Sequence, residues 1–163
     1  MNNLTIGGLD ERNKRPFAYY ETIGGGMGAG PHADGASGRH SHMTNTLNTP
    51  VEALEYAYPL RITRYALRDG SGGKGQYQGG DGLIRSYEFL QPAEITVLSD
   101  RRVTQPYALE GGDPATPGRN GLKQAGDEAD LQGKCSFSVE KDDVLTIETP
   151  GGGGYGQEEI GDF

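Results

Sequence analysis

Apolar and polar residues alternate with a period of two over several short stretches of this 163-residue chain, the pattern of half-buried β-strands. Lys134–Glu140 alternates cleanly. Leu83, Arg85, Tyr87 and Phe89 fall on one face of a further strand. Glu94–Ser99 centres on Ile95 and Val97, and Val144–Thr149 follows the turn residues Asp142-Asp143. Phe17, Tyr19 and Tyr20 predict a strand near 17–23. Leu60–Leu67 alternates with a change of phase near Arg64, which predicts a β-bulge. Only one segment has helical spacing: Val51, Leu54 and Tyr58 share a face. Thr49 is placed to cap that helix, with Pro50 at its first position and Glu52 completing a capping box. Pro59 ends it. Residues 103–133 read as a long irregular segment, with turn signals at Gly111-Gly112-Asp113, Pro117-Gly118 and Asn120-Gly121. The expected fold is mainly β, a sandwich or barrel-like domain over 1–156 with one short helix near 50–58, long glycine-rich loops and a frayed acidic tail at 157–163.

Composition changes this picture in one respect. Only 33% of residues are hydrophobic and 28 are glycine, well over twice the usual share of about 7%. Glycine permits close backbone approach. The run Gly24–Gly30 therefore points to backbone lying against a ligand or another chain. It does not fit a phosphate loop, because Pro31 and Asp34-Gly35 stand where a helix N-terminus is needed. The tail Pro150–Gly156 ends in Tyr155-Gly156 directly after a strand, which favours ordered backbone packed on a partner over a flexible linker.

A net charge of −8 argues against nucleic acid and anionic membrane as partners. The arginines at 61, 64, 68 and 101–102 are too sparse for a nucleic-acid tract and suit strand faces or carboxylate partners. Cys135 is the only cysteine, so the chain forms no internal disulfide, in keeping with a cytoplasmic setting. Its phase with Phe137 and Val139 predicts a buried thiol. No apolar run approaches the ~18 residues of a membrane span.

Candidate chemistry concentrates in residues 24–48, which contain all three histidines, His32, His40 and His42, with Asp34, Arg39, Thr44, Asn45 and Asn48. On extended backbone His40 and His42 face one side. Together they suit substrate or interface contact, a metal site with Asp34 and His32, or structural hydrogen bonding. The amides of Asn45 and Asn48 are suited to orienting a carbonyl or an amide.

The runs MNNLTIGG, YYETIGGGMGAG, DGASGRHSHMTNTLNTPVEALEYAYPL, YALRDGSGGKGQYQGGDGLIR and DVLTIETPGGGGYG closely resemble the C-terminal part of the hydantoinase B family. That family comprises the B components of ATP-dependent hydantoinases and 5-oxoprolinases, with relatives among lactamases and the alpha subunits of acetone and acetophenone carboxylases. The resemblance covers nearly the whole chain. It implies a division of labour in which an A-type component binds ATP and phosphorylates the amide oxygen of a lactam or hydantoin. The B component then hydrolyses the activated ring with metal-bound water. It also implies that the divalent metal is held in an N-terminal part of the B component, by motifs such as GTHLPD and HHAD that do not occur here. No cofactor is then expected on this chain alone. The expected partners are an A-type component and an N-terminal B fragment. The chain itself would be a split subunit, a truncated product or a processed piece.

Carried over by position, the resemblance gives catalytic or intermediate-contacting roles to His40, His42 and Asp34. It gives substrate-binding roles to Asn45, Asn48, Thr44, Arg39, Gly26 and Gly28. Two other readings stay open: a fragment of an acetone carboxylase-type alpha subunit, and a non-catalytic assembly domain.

Overall fold

The computed structural model describes residues 1–41 and 44–157. The described residues form two antiparallel sheets and one short helix. The first sheet has the order β2-β1-β5-β8, built from β1 (Asn2–Asp10), β2 (Arg15–Thr22), β5 (Ala93–Ser99) and β8 (Lys134–Val139). The second has the order β3-β4-β9-β6-β7, from β3 (Leu60–Arg68), β4 (Gly82–Phe89), β9 (Val144–Glu148), β6 (Arg119–Gln124) and β7 (Asp127–Asp130). Alternate residues of both sheets enter a single core. Leu4, Ile6, Ile95 and Val97 come from the first sheet, and Tyr87, Phe89, Leu122, Leu145 and Ile147 from the second. Two sheets sharing one core make a sandwich, and the sheets do not close into a barrel.

The expected strands are present, with the bulge of β3 falling between Ile62 and Arg64. Three expectations need correction. The first expected strand, near 17–23, is preceded by another: β1 is a central strand of its sheet, flanked by β2 and β5. Gly7 and Gly8 interrupt its apolar rhythm, but Phe17 covers Gly8 with its ring. The segment 103–133 is not wholly irregular, since β6 and β7 form a hairpin turned by Ala125 and Gly126 at φ 50° and 95°. Asn120-Gly121 lies inside β6 and makes no turn. The Asn120 side chain is buried and donates to Ser99 Oγ and the Gln132 carbonyl.

The third correction concerns the helix α1 (Val51–Ala57). Pro50 occupies the N-cap, and no side chain caps the helix. The N-cap position falls on Pro50, one residue past Thr49, so the capping box of Thr49 with Glu52 does not form. Leu54 anchors the helix in the core, and Tyr58 packs on Phe17 and Tyr19 at ring separations of 5.9 and 5.0 Å. Cys135 is half-buried at the core margin, where burial pushes its thiol up.

Beside the sandwich lies a second body of ordered backbone with almost no side chains inside it. Segments 24–39, 71–82, 106–118 and 150–156 run against one another and exchange main-chain hydrogen bonds. Gly26 N–H donates to Pro150 O at 3.0 Å, Gly73 N–H to Gly152 O at 2.9 Å, Gly152 N–H to Gly80 O at 2.9 Å, and Gly154 N–H to Asp113 O at 3.0 Å. Residues 150–156 form the axis of this bundle, bonded to all the other segments. The close approach expected of Gly24–Gly30 and Gly151–Gly154 is real, and the partner is this chain's own backbone. The expected acidic tail lies outside the described residues from Glu158 onward.

Candidate functional site

Two adjoining clefts run where the bundle meets Arg39, Ser41 and Thr44. The first, about 320 Å³, is lined by Gly24–Gly26 and Pro150 on one side and by Arg39, Ser41 and Thr44 on the other. The second, about 580 Å³, shares Gly26, Ser41 and Pro150 with it. It continues along Gly28 and Gly151–Gly154 to Arg101, Tyr107 and Leu109. Four of the residues expected to bind substrate, Arg39, Thr44, Gly26 and Gly28, therefore line one continuous groove. Their chemistry is complementary. Arg39 and Arg101 supply guanidinium groups exposed to the solvent, Ser41 a hydroxyl, and the glycines a wall of bare peptide. Arg101, at φ 59°, stacks over Tyr107 with 5.8 Å to the ring centre. In the sequence Arg101 reads only as a strand-face charge or a carboxylate partner and Tyr107 gives no signal, because each sits in a segment without period.

The other expected residues are placed differently. Asp34 is exposed and accepts the Gln78 N–H at 2.7 Å, which ties two bundle segments together. Asn45 is exposed and lines neither cleft. His32 is exposed. His42 lies outside the described residues. His40 is half-buried, and both its ring nitrogens are shielded from solvent, without a hydrogen-bond partner among the described residues. Among the described residues no three His, Cys, Asp or Glu side chains converge as metal ligands.

Behind the groove is a polar cluster that sequence reasoning missed. Arg85 is 0% exposed and Glu21 is 6% exposed, with Arg85 Nε 3.3 Å from Glu21 Oε1. The guanidinium makes no hydrogen bond with described residues. Its face lies over the Tyr65 ring at 4.4 Å, with Tyr87 at 5.7 Å. Glu21 is better satisfied. Tyr19 Oη donates to Oε2 at 2.9 Å, Asn48 Nδ2 donates to the same oxygen at 3.0 Å, and Tyr87 Oη donates to Oε1. Asn48 Nδ2 also reaches the Thr22 carbonyl at 3.1 Å, while its Oδ1 accepts from Tyr65 Oη at 3.2 Å. Every polar atom of the Asn48 side chain is thus used within the chain. Burial raises the Glu21 carboxyl above its ordinary range, opposed by the Arg85 charge, by the hydrogen bonds from Tyr19 and Asn48, and by His40. Burial likewise pushes the Tyr19 phenol well up. The signal was present in the sequence: Arg85 falls in phase with Leu83, Tyr87 and Phe89, and a charge on an apolar face needs a buried partner.

The profile of the Hydantoinase B/oxoprolinase family matches residues 1–158. The chain belongs to this family. It is 48% identical over 157 residues to 5-oxoprolinase 1 of Arabidopsis thaliana, covering 96% of this chain and 12% of that protein. Among solved structures, an ATP-dependent caprolactamase from Pseudomonas jessenii superposes with a TM-score of 0.73 at 27% identity, over 94% of this chain and 28% of that one. A nucleotide-free acetone carboxylase gives 0.80 at 19% identity, over 97% and 26%, which is a likeness of fold. The chain spans only 12–13% of the length of three curated relatives that it matches at 45–48% identity. The family match accounts for the run of shared motifs, and the groove lies among them, formed by the glycine run, Arg39, Ser41 and Thr44, and the Pro150–Gly154 stretch.

Proposed function

We propose that this chain is the β domain of an ATP-dependent cyclic-amide hydrolase of the hydantoinase/5-oxoprolinase type, and that its groove faces the ring to be opened. The reading is supported by the family membership, by relatives named 5-oxoprolinase, and by the fold shared with a caprolactamase. The observation that carries it is the convergence of Arg39, Ser41, Thr44 and bare glycine backbone on one groove.

An unactivated amide resists water. In this scheme an ATP-binding A-type component phosphorylates the ring amide, which turns its oxygen into a leaving group. This chain's part is to bind and orient. A guanidinium donates to a carboxylate or carbonyl in a fixed fork, so Arg39 would hold the polar edge of the ring. The Ser41 hydroxyl and the glycine wall would limit its tilt. A divalent metal would activate the attacking water from elsewhere in the B component. The described residues present no ligand set for it, and no step is routed through one on this chain. The partners are accordingly an A-type component and an N-terminal B fragment, in the cytoplasm.

A bracing domain without chemistry is the second reading, favoured by the internal engagement of Asp34 and Asn48. The two separate in the complex purified from the native host. Arg39→Ala should leave assembly intact and lower ATP-dependent ring opening of 5-oxoproline, hydantoin or caprolactam by about 10²-fold or more, the scale for losing a positioning contact. Full activity with Arg39→Ala would overturn the catalytic reading in favour of the brace.

A further inference from the structure

We propose that Asn48 is a latch, holding the groove-lining segment 39–48 against the buried Glu21–Arg85 pair. Residues 44–50 have no regular structure, and the residues facing the groove, Arg39, Ser41 and Thr44, are exposed or only half-buried. Among the segment's described residues the internal bonds are few. Thr44 donates through N–H and Oγ1 to the Ser41 carbonyl at 3.4 and 3.1 Å, while Arg39 pairs with Gly25 at the segment's start. At its far end Asn48 makes three bonds to two strands: to Glu21 and Thr22 on β2, and to Tyr65 on β3. One amide thus ties the segment to both sheets.

The buried pair explains why this tie is firm. Glu21 is fixed from several sides, by Tyr19 on its own strand, by Tyr87 and Arg85 on β4, and by Asn48 from the loop. Arg85 is in turn sandwiched against Tyr65, the same ring whose hydroxyl holds Asn48 Oδ1. A buried ion pair is weak as a source of stability compared with apolar packing. As an anchor its value is geometric, because a carboxylate with four partners offers the amide one fixed acceptor. Glu21, Arg85 and Tyr65 are therefore positioning residues acting through Asn48.

The test is amide hydrogen exchange on the full chain. Asn48→Ala should raise exchange across 39–48 by about tenfold or more, the scale of opening a buried hydrogen-bonded contact locally, with β1, β4, β5 and β9 unchanged. Tyr65→Phe, which removes only one bond, should give a smaller rise in the same segment. Asn48→Asp supplies a signature that simple loosening does not. It places a second carboxylate against Glu21, among Arg85, Tyr19, Tyr87 and His40. Two carboxyls this close share one proton, so after correction for intrinsic rates the segment should be protected at low pH and released as pH rises. Unchanged exchange in 39–48 for Asn48→Ala overturns the latch, as does a rise spread evenly over the sheets.

The activity arm rests on the function proposed above and fails separately. In the assembled enzyme Asn48→Ala should lower kcat/KM together with loop protection. Protection lost with full activity supports the latch and removes the groove from the chemistry. Activity lost with protection unchanged overturns the latch and makes Asn48 a substrate contact.

Discussion

Replacing Gly26 with alanine tests whether the glycine bundle is held by steric exclusion. A Cβ at this position meets the Gly80 carbonyl oxygen far inside contact distance, with Gly152 N at 2.5 Å and the Gly80 carbonyl carbon at 2.7 Å. All three are backbone atoms, which no rotamer change can move. Relief needs the segments to separate by about 1 Å, which takes well-formed bonds beyond hydrogen-bonding range. The Gly80 N–H to Met27 O and Gly152 N–H to Gly80 O bonds, both 2.9 Å, are the ones that open. Each buried bond broken with its groups left unpaired costs about 1–3 kcal/mol. Alanine returns about 0.4–1 kcal/mol through the unfolded chain, which leaves a net loss of about 3 kcal/mol. For a domain of this size that lowers Tm by about 6–12 °C. Gly28→Ala is the internal control, since its Cβ meets only Gly153 O at 3.7 Å, and it should sit within about 0.5 kcal/mol of wild type. Urea and thermal unfolding of both variants decide the matter. Equal midpoints for Gly26→Ala and wild type would refute the account of the bundle as close-packed backbone.

Other expected outcomes follow from single contacts. Thr149 is fully buried, and its Oγ1 accepts the Leu83 N–H at 2.7 Å, so Thr149→Val strands that donor and should lower stability by about 1–3 kcal/mol in urea unfolding. Arg119 pairs with Glu128 and Asp130 on an open surface, so Arg119→Ala should shift stability by less than about 1 kcal/mol, and by less again in high salt. Two carboxyls should give opposite pH slopes. Hydrogen bonds from Arg12 hold Asp10 below its ordinary 3.8, so its stabilisation is present above that value and lost as pH falls through the lowered one; Asp10→Asn should flatten the acid limb of a urea-midpoint curve. Glu21 is raised above its ordinary 4.5, mainly by burial, so its protonated form favours the native state. Its contribution is present below 4.5 and lost as pH rises through the raised value, and Glu21→Gln should remove that decline.

What the sequence disclosed and what it hid divide along physical lines. Strands whose apolar faces are set by local alternation, β8 and β9 above all, were legible, as was the bulge in β3. Strands whose place depends on distant partners were not. Gly7 and Gly8 in β1 and Asn120-Gly121 in β6 carry turn chemistry, and pairing with β5 and β9 overrides it. The helix was found because Leu54 and its neighbours have helical spacing. Its cap was misread by one residue, because the helix begins at Val51 and Pro50, which has no capping side chain, takes the N-cap in place of Thr49. At the site, Gly26, Gly28, Arg39 and Thr44 do meet on one groove. Asn48 was recognised as a residue of interest, but its three partners lie 17 to 27 positions away, beyond any local pattern. The Glu21–Arg85 pair spans both sheets and could be suspected only from a charge lying in apolar phase.

The groove therefore has two walls of different mechanical character. On the bundle side, displacement of Gly26 or Gly152 collides with neighbouring backbone and breaks several main-chain bonds at once. That wall yields only by losing the bundle. On the other side, Arg39, Ser41 and Thr44 hang from a segment fixed at one end by its pairing with Gly25 and at the other by the amide of Asn48. Among the described residues, opening that wall costs the bonds of one side chain, a few kcal/mol. Local opening takes the cheapest route available. A ligand that needs more room than the resting groove provides will thus move residues 39–48 and leave the glycine wall in place. The side chains that would discriminate between ligands, chiefly Arg39, sit on the wall that moves.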